Sequence, residues 1–238
     1  MGVATPISTT RPPYGDCGWS VALTDATITQ SGLNFGNVKP SSTTTTLLSK
    51  SAITLGESVT DTATVTGVPL GVPTGTVEFY VMKSGGSWSL FSTKTLDTSG
   101  KATSDSYTPL ETGTYYFKAK YLGDSNYKAS ESADDAEPLT VGPADSTTAT
   151  LLSKTEITLG GSVTDKATVT GLGGSYPVPT GTVEFWVLPP GGVWTKYDTQ
   201  TLDTSGTATS TAYTPLAAGT YYFKAKYLGD SNYKASES

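Results

Sequence analysis

The 238-residue chain carries twenty-one acidic side chains against fifteen Lys and Arg, one cysteine and no histidine, and that stock limits its chemistry. Without histidine it lacks the side chain that titrates near neutral pH, the usual base of Ser-His and Cys-His nucleophiles, and the commonest zinc ligand. Cys17 stands alone, so no disulfide forms within the chain. It is either a reactive, cross-linking thiol or an incidental half-buried residue. Two pairs of carboxylates recur at matched positions, Asp97 with Asp203 and Asp124 with Asp230. They invite a calcium reading, but calcium takes roughly six to eight oxygens and neither stretch supplies a dense run of them. Asp ahead of Thr-Ser-Gly or Ser-Asn is a turn-forming residue, which gives these four a structural role. No Gly-rich phosphate loop ending in Lys, no G-x-S-x-G elbow and no HExxH pattern occurs. The expectation is a non-catalytic chain without metal or other cofactor.

Aromatic side chains are the remaining binding chemistry. Tyr80, Tyr116, Trp186 and Tyr222 fall at the polar positions of alternating segments. If those segments pair as strands in the usual sandwich fashion, Glu78 faces Lys118 and Tyr80 faces Tyr116, with Glu184 facing Lys224 and Trp186 facing Tyr222. Such a row would stack on sugar rings; it would equally stabilise the sheet, by roughly 0.2–1 kcal/mol per pair. Trp88 and Trp194, each beside a Gly-Gly turn, are expected to anchor the hairpin.

The elements that position these residues are organised by a duplication. GTYYFKAKYLGDSNYKASES spans 113–132 and returns letter for letter at 219–238, DTSG returns from 97–100 at 203–206, and VPTGTVEF from 72–79 at 178–185. Each unit is about a hundred residues, the size of one small β-domain. Thr, Ser, Gly and Tyr dominate, a β-type composition, and 36% hydrophobic content is enough for two small cores. A net charge of -6 argues against a nucleic-acid surface, and no apolar run approaches the roughly twenty residues of a membrane helix.

Within the first unit, TTTTLL, the segment from Ser58 with Val59, Ala63 and Val65 inward, 76–81 with Val77, Phe79 and Val81 inward, WSLFSTKTL, KATSDSY, the shared stretch and 137–141 all read as strands. Seven or so short strands separated by turns predict an all-β, two-sheet sandwich in each unit. Tyr115 and Tyr221 stand where a tyrosine corner is expected. Residues 1–41 belong to neither unit. Their opening is rich in Pro, Thr and Gly, with no export signal, and alternation over 21–29 and 32–38 predicts one or two strands. The expected organisation is therefore an arm at 1–41, a first domain at 42–143 and a second at 144–238.

GTVEF, LDTSGKAT, TPLETGTYYFKAKYLGDSNY and the trailing KASES resemble the bacterial immunoglobulin-like (Big-type) repeats found in tandem on large prokaryotic surface proteins, adhesins and some phage structural proteins. The resemblance covers 42–238 and implies a rigid, non-catalytic stalk or display module. It offers no catalytic residue to transfer.

The second unit reaches Ser238, the counterpart of Ser132, without a counterpart of ADDAEPLTVG, so its sandwich is expected to lack a last strand. A longer array would supply that strand in cis. The alternative is donation from the arm of a neighbouring copy through Val21, Leu23, Ile28, Leu33, Phe35 and Val38, which generates a head-to-tail filament. The functional expectation is a structural subunit of an extracellular or cell-surface fibre, partnered by copies of itself or by further repeats, with neither nucleic-acid binding nor membrane insertion. A phage virion decoration or fibre protein and a carbohydrate-binding adhesin are the alternatives.

Overall fold

A computed structural model describes residues 39–68, 71–135 and 137–238, and among them every helix or strand element is a strand. They belong to one compact unit, Lys39–Ser238. Cys17 and the strand-donor candidates Val21, Leu23, Ile28, Leu33, Phe35 and Val38 lie outside the described residues.

The first repeat contains β1 (Ser41–Leu48), β2 (Ala52–Thr54), β3 (Asp61–Val68), β4 (Thr76–Lys83), β5 (Ser89–Thr95), β6 (Lys101–Thr103), β7 (Gly113–Tyr121), β8 (Ser130–Glu131) and β9 (Glu137–Gly142). One sheet has the order β1-β3-β6; the other runs β2-β9-β7-β4-β5, with β8 beside β7. The second repeat contains β10 (Thr147–Leu152), β11 (Asp165–Thr170), β12 (Thr182–Leu188), β13 (Thr195–Thr201), β14 (Thr207–Thr209), β15 (Tyr222–Tyr227) and β16 (Ser236–Glu237). Its sheets are β10-β11-β14 and β13-β12-β15-β16.

Strict alternation explains the packing. Val77, Phe79 and Val81 of β4 and Tyr115, Phe117, Ala119 and Tyr121 of β7 are buried, as are Ala63 and Val65 on β3, so the inner faces close over a shared core. Tyr115 donates its hydroxyl to the Glu111 carbonyl at 2.9 Å and Tyr221 to the Ala217 carbonyl at 3.1 Å, the tyrosine corner in both repeats.

Alternation fixes which face a residue takes, but a slip of two leaves the face unchanged, and here the expected register was off by that amount. Glu78 faces Lys120, Tyr80 faces Lys118 and Tyr116 faces Met82. Likewise Glu184 faces Lys226, Trp186 faces Lys224 and Tyr222 faces Leu188. KATSDSY forms only the three residues of β6. Beyond them Ser104 still donates its amide to the Asp61 carbonyl at 2.9 Å, but its hydroxyl, not its carbonyl, accepts the Asp61 amide, also at 2.9 Å.

The two repeats are joined by packing as well as by chain. One apolar cluster runs from Ile53, Leu55 and Leu139 through Ala144 into Val169, Phe185 and Tyr233. Thr112 donates its amide to Asn232 Oδ1 at 3.1 Å and its hydroxyl to the Ser231 carbonyl at 2.9 Å.

Candidate functional site

Sequence-identical strands, β7 and β15, end in different surroundings, and the candidate site lies where they differ. In the first repeat β9 fills the space between β7 and β2. It pairs antiparallel with β7, Tyr115 opposite Leu139 and Gly113 opposite Val141, and β2 pairs parallel with it, Ile53 opposite Val141. Leu139 and Val141 are 0% and 3% exposed. Glu137 Oε2 accepts the Leu48 amide at 3.0 Å, bridging to the opposite sheet. The turn after β2 is pinned by Glu57, whose carboxylate accepts the Thr54 amide at 2.8 Å and the Lys50 ammonium at 2.9 Å.

In the second repeat the corresponding space is an open groove of about 570 Å³ lined by, among others, Leu152, Ile157, Leu159, Ala218, Tyr221 and Phe223. No described strand takes the place of β9 there, and residues 156–158 form no counterpart of β2. Consequently β15 starts only at Tyr222. Leu159 is 69% exposed, where its counterpart Leu55 is 2% exposed. The lower half of the same edge is complete: Lys226 faces Glu237 in β16, and Ser238 exchanges hydrogen bonds with the Ala225 backbone at 3.1 Å each way.

Local sequence reinforces the difference. Gly161 stands where Glu57 pins the turn, Ala217 where Glu111 pairs with Lys83, and Ala218 where Thr112 stands. The groove mouth thus has smaller side chains at these three positions, while Lys154 and Glu156 stand among the residues that line it.

A buried carboxylate lies behind each slot. Asp61 and Asp165 are fully buried, and no described group makes a hydrogen bond to their oxygens. Burial pushes Asp61 up to about 7, reinforced by the nearby Glu137 charge and opposed by the amides of Leu47 and Thr62, which lie close but outside bonding geometry. Burial pushes Asp165 up to about 6, where no counterpart of Glu137 contributes.

The aromatic candidates Tyr80, Tyr116, Trp186 and Tyr222 share the outer face of the strand pair with lysines between them. Tyr80 donates to Glu78 at 2.7 Å and Trp186 Nε1 to Glu184 at 3.3 Å. Trp88 and Trp194, expected as hairpin anchors, cover the Lys118 and Lys224 ammonium groups at 4.6 and 4.9 Å from the ring centroid.

The recurring aspartates tie loops. Although partial burial opposes it, the amides of Thr74, Asn126 and Tyr127 and the Thr74 hydroxyl hold Asp124 well below the usual carboxylate range. Asp230 makes the same bonds to Thr180, Asn232 and Tyr233. Among the described residues no group of three or more His, Cys, Asp or Glu is placed to hold a metal, and no helix is long and apolar enough to cross a membrane.

Sequence reasoning did not find the residues that line this groove. Ile157 and Leu159 carried a readable signal, because they repeat Ile53 and Leu55. Those counterparts gave too short an alternation to stand out as a strand.

A family model described as the bacterial Ig-like domain, group 3, matches residues 45–142 and again 149–238. No curated protein matches the chain. Among solved structures, the adhesin InvE of Yersinia pseudotuberculosis is similar at 16% identity and a TM-score of 0.40, over 82% of this chain and 57% of that one. A DUF4785 family protein of Legionella pneumophila is similar at 8% identity and a TM-score of 0.38, over 81% of this chain and 53% of that one. Native E. coli alpha-2-macroglobulin follows at 16% and 0.30, over 85% of this chain and 14% of that one. The chain therefore spans well under two thirds of each of these structures.

Proposed function

The chain belongs to the bacterial Ig-like domains of group 3, as two tandem copies, and from that premise we propose that it is a non-catalytic structural element of a bacterial cell surface. Its repeats act as spacers. In the polymeric form of this reading the arm of another copy donates a strand, so that copies join head to tail in a contact that does not close on itself.

The observation that carries the reading is the apolar cluster that runs unbroken from the first repeat into the second. The continuous apolar packing between the repeats suits a stiff spacer.

Two measurements test the two parts. Antibody against the chain should label intact cells; labelling only after lysis contradicts the surface role. Sedimentation velocity of the full chain should show a ladder of species that grows with concentration, whereas one monomeric species at every concentration contradicts polymerisation.

A further inference from the structure

We propose that the first repeat resists tension along the chain through a clamp between the strands by which the chain enters and leaves it, β1–β2 and β9, which a pull on the two ends loads in shear. This inference rests on the spacer reading above and adds a mechanical task to it. Force measurements on the purified chain test the clamp whatever the labelling of cells shows.

A series of contacts fixes the direction of the two segments. Ser42 donates its hydroxyl to the Lys128 carbonyl at 2.7 Å, the Thr44 and Ser130 hydroxyls bond at 2.7 Å, and Glu137 accepts the Leu48 amide at 3.0 Å. Further along, Ile53 lies opposite Val141 and Thr54 opposite Gly142. The two sets of numbers rise together, so the entering segment runs parallel to the leaving one. The chain therefore comes in at Ser41 at one end of the repeat and goes out at Gly142 at the other.

Tension then drags β2 and β9 past each other. Interstrand hydrogen bonds lie across the strands, so a pull along the strands loads them together, whereas a pull that opens a ladder from one end breaks them one at a time. Thr140 donates its amide to the Ser51 carbonyl and Leu55 to the Gly142 carbonyl, both at 2.9 Å, one at each end of the β2–β9 pairing. Beneath the pair Ile53, Leu55, Leu139 and Val141 are buried, so sliding also pulls apolar side chains out of close packing. Glu57 holds the far end of β2 through the Thr54 amide and Lys50. Parallel pairing over three residues adds little to stability, but here it stands between the point where tension enters and the point where it leaves.

The test pulls one protein in two directions by single-molecule force spectroscopy. In a Cys17→Ser background, attachment through Lys39→Cys and Asp145→Cys loads the repeat from opposite ends. Attachment through Lys39→Cys and Lys128→Cys loads it from one end, since the Lys128 amide bonds the Pro40 carbonyl. All three attachment side chains are exposed. At equal loading rate the opposite-end force should be at least about twofold the one-end force, because forced unfolding follows the barrier along the pull. Glu57→Ala should lower the opposite-end force and leave the one-end force unchanged. A loss of overall stability would lower both. Equal forces in the two directions, or a Glu57→Ala loss of the same size in both, overturn the clamp.

Discussion

The same twenty residues, 113–132 and 219–238, form a nine-residue strand in the first repeat and a six-residue strand in the second. Intrinsic preference cannot produce that difference, since the letters are identical. What differs is the neighbour: β7 has β9 along its upper half and β15 has none among the described residues. Tyr115 is buried while Tyr221 is half-buried, and the residues after Gly219 leave the ladder. Strand formation here is set by cross-strand partners, as expected for a propensity that mostly measures packing.

The strongest way to break the comparison is to degrade the first repeat toward the second. Leu139→Ala removes a fully buried side chain from β9 and should destabilise the chain by about 2–5 kcal/mol in denaturant unfolding. Leu216→Ala, at a side chain 93% exposed at the groove end of the second repeat, should change stability by less than about 0.5 kcal/mol. A loss of that larger size from Leu216→Ala would contradict its exposure.

A comparable effect comes from the buried acids. Asp61 rises from 3.8 to about 7 on folding, so the folded state holds its proton more tightly than the unfolded state. Stability is then fullest below about pH 4 and declines as pH rises toward 7, by of order 4 kcal/mol for this group. Asp165 does the same with its upper limit near 6. Asp61→Asn should flatten the first decline, and Glu137→Gln should lower its upper limit, because the Glu137 charge adds to the burial that raises Asp61. Denaturant midpoints from pH 4 to 8 read this directly; midpoints that rise with pH would contradict it.

Much of the architecture was legible in the residues. The duplication, the inward faces of β3, β4 and β7, the tyrosine corners and β9 follow from period-two alternation and copied letters. What escaped has identifiable causes. β2 is three residues long and is held by Glu57 and by parallel pairing to a strand far away in sequence. The aromatic register depended on absolute alignment, to which alternation is blind. Asp61 sits at the same parity as Val59, Ala63 and Val65, so its burial was readable from the pattern. A carboxylate is simply the residue one least expects to find inward.

Amide hydrogen exchange on the chain tests the central claim most directly, by comparing residues 114–117 with the identical residues 220–223. Fragments that extend into Glu111-Thr112 or Ala217-Ala218 distinguish the two copies. Strand formation set by cross-strand partners predicts exchange at least about tenfold faster at 220–223. Equal protection of the two segments would mean that the neighbouring strand does not set the order of this stretch, and the account would be wrong.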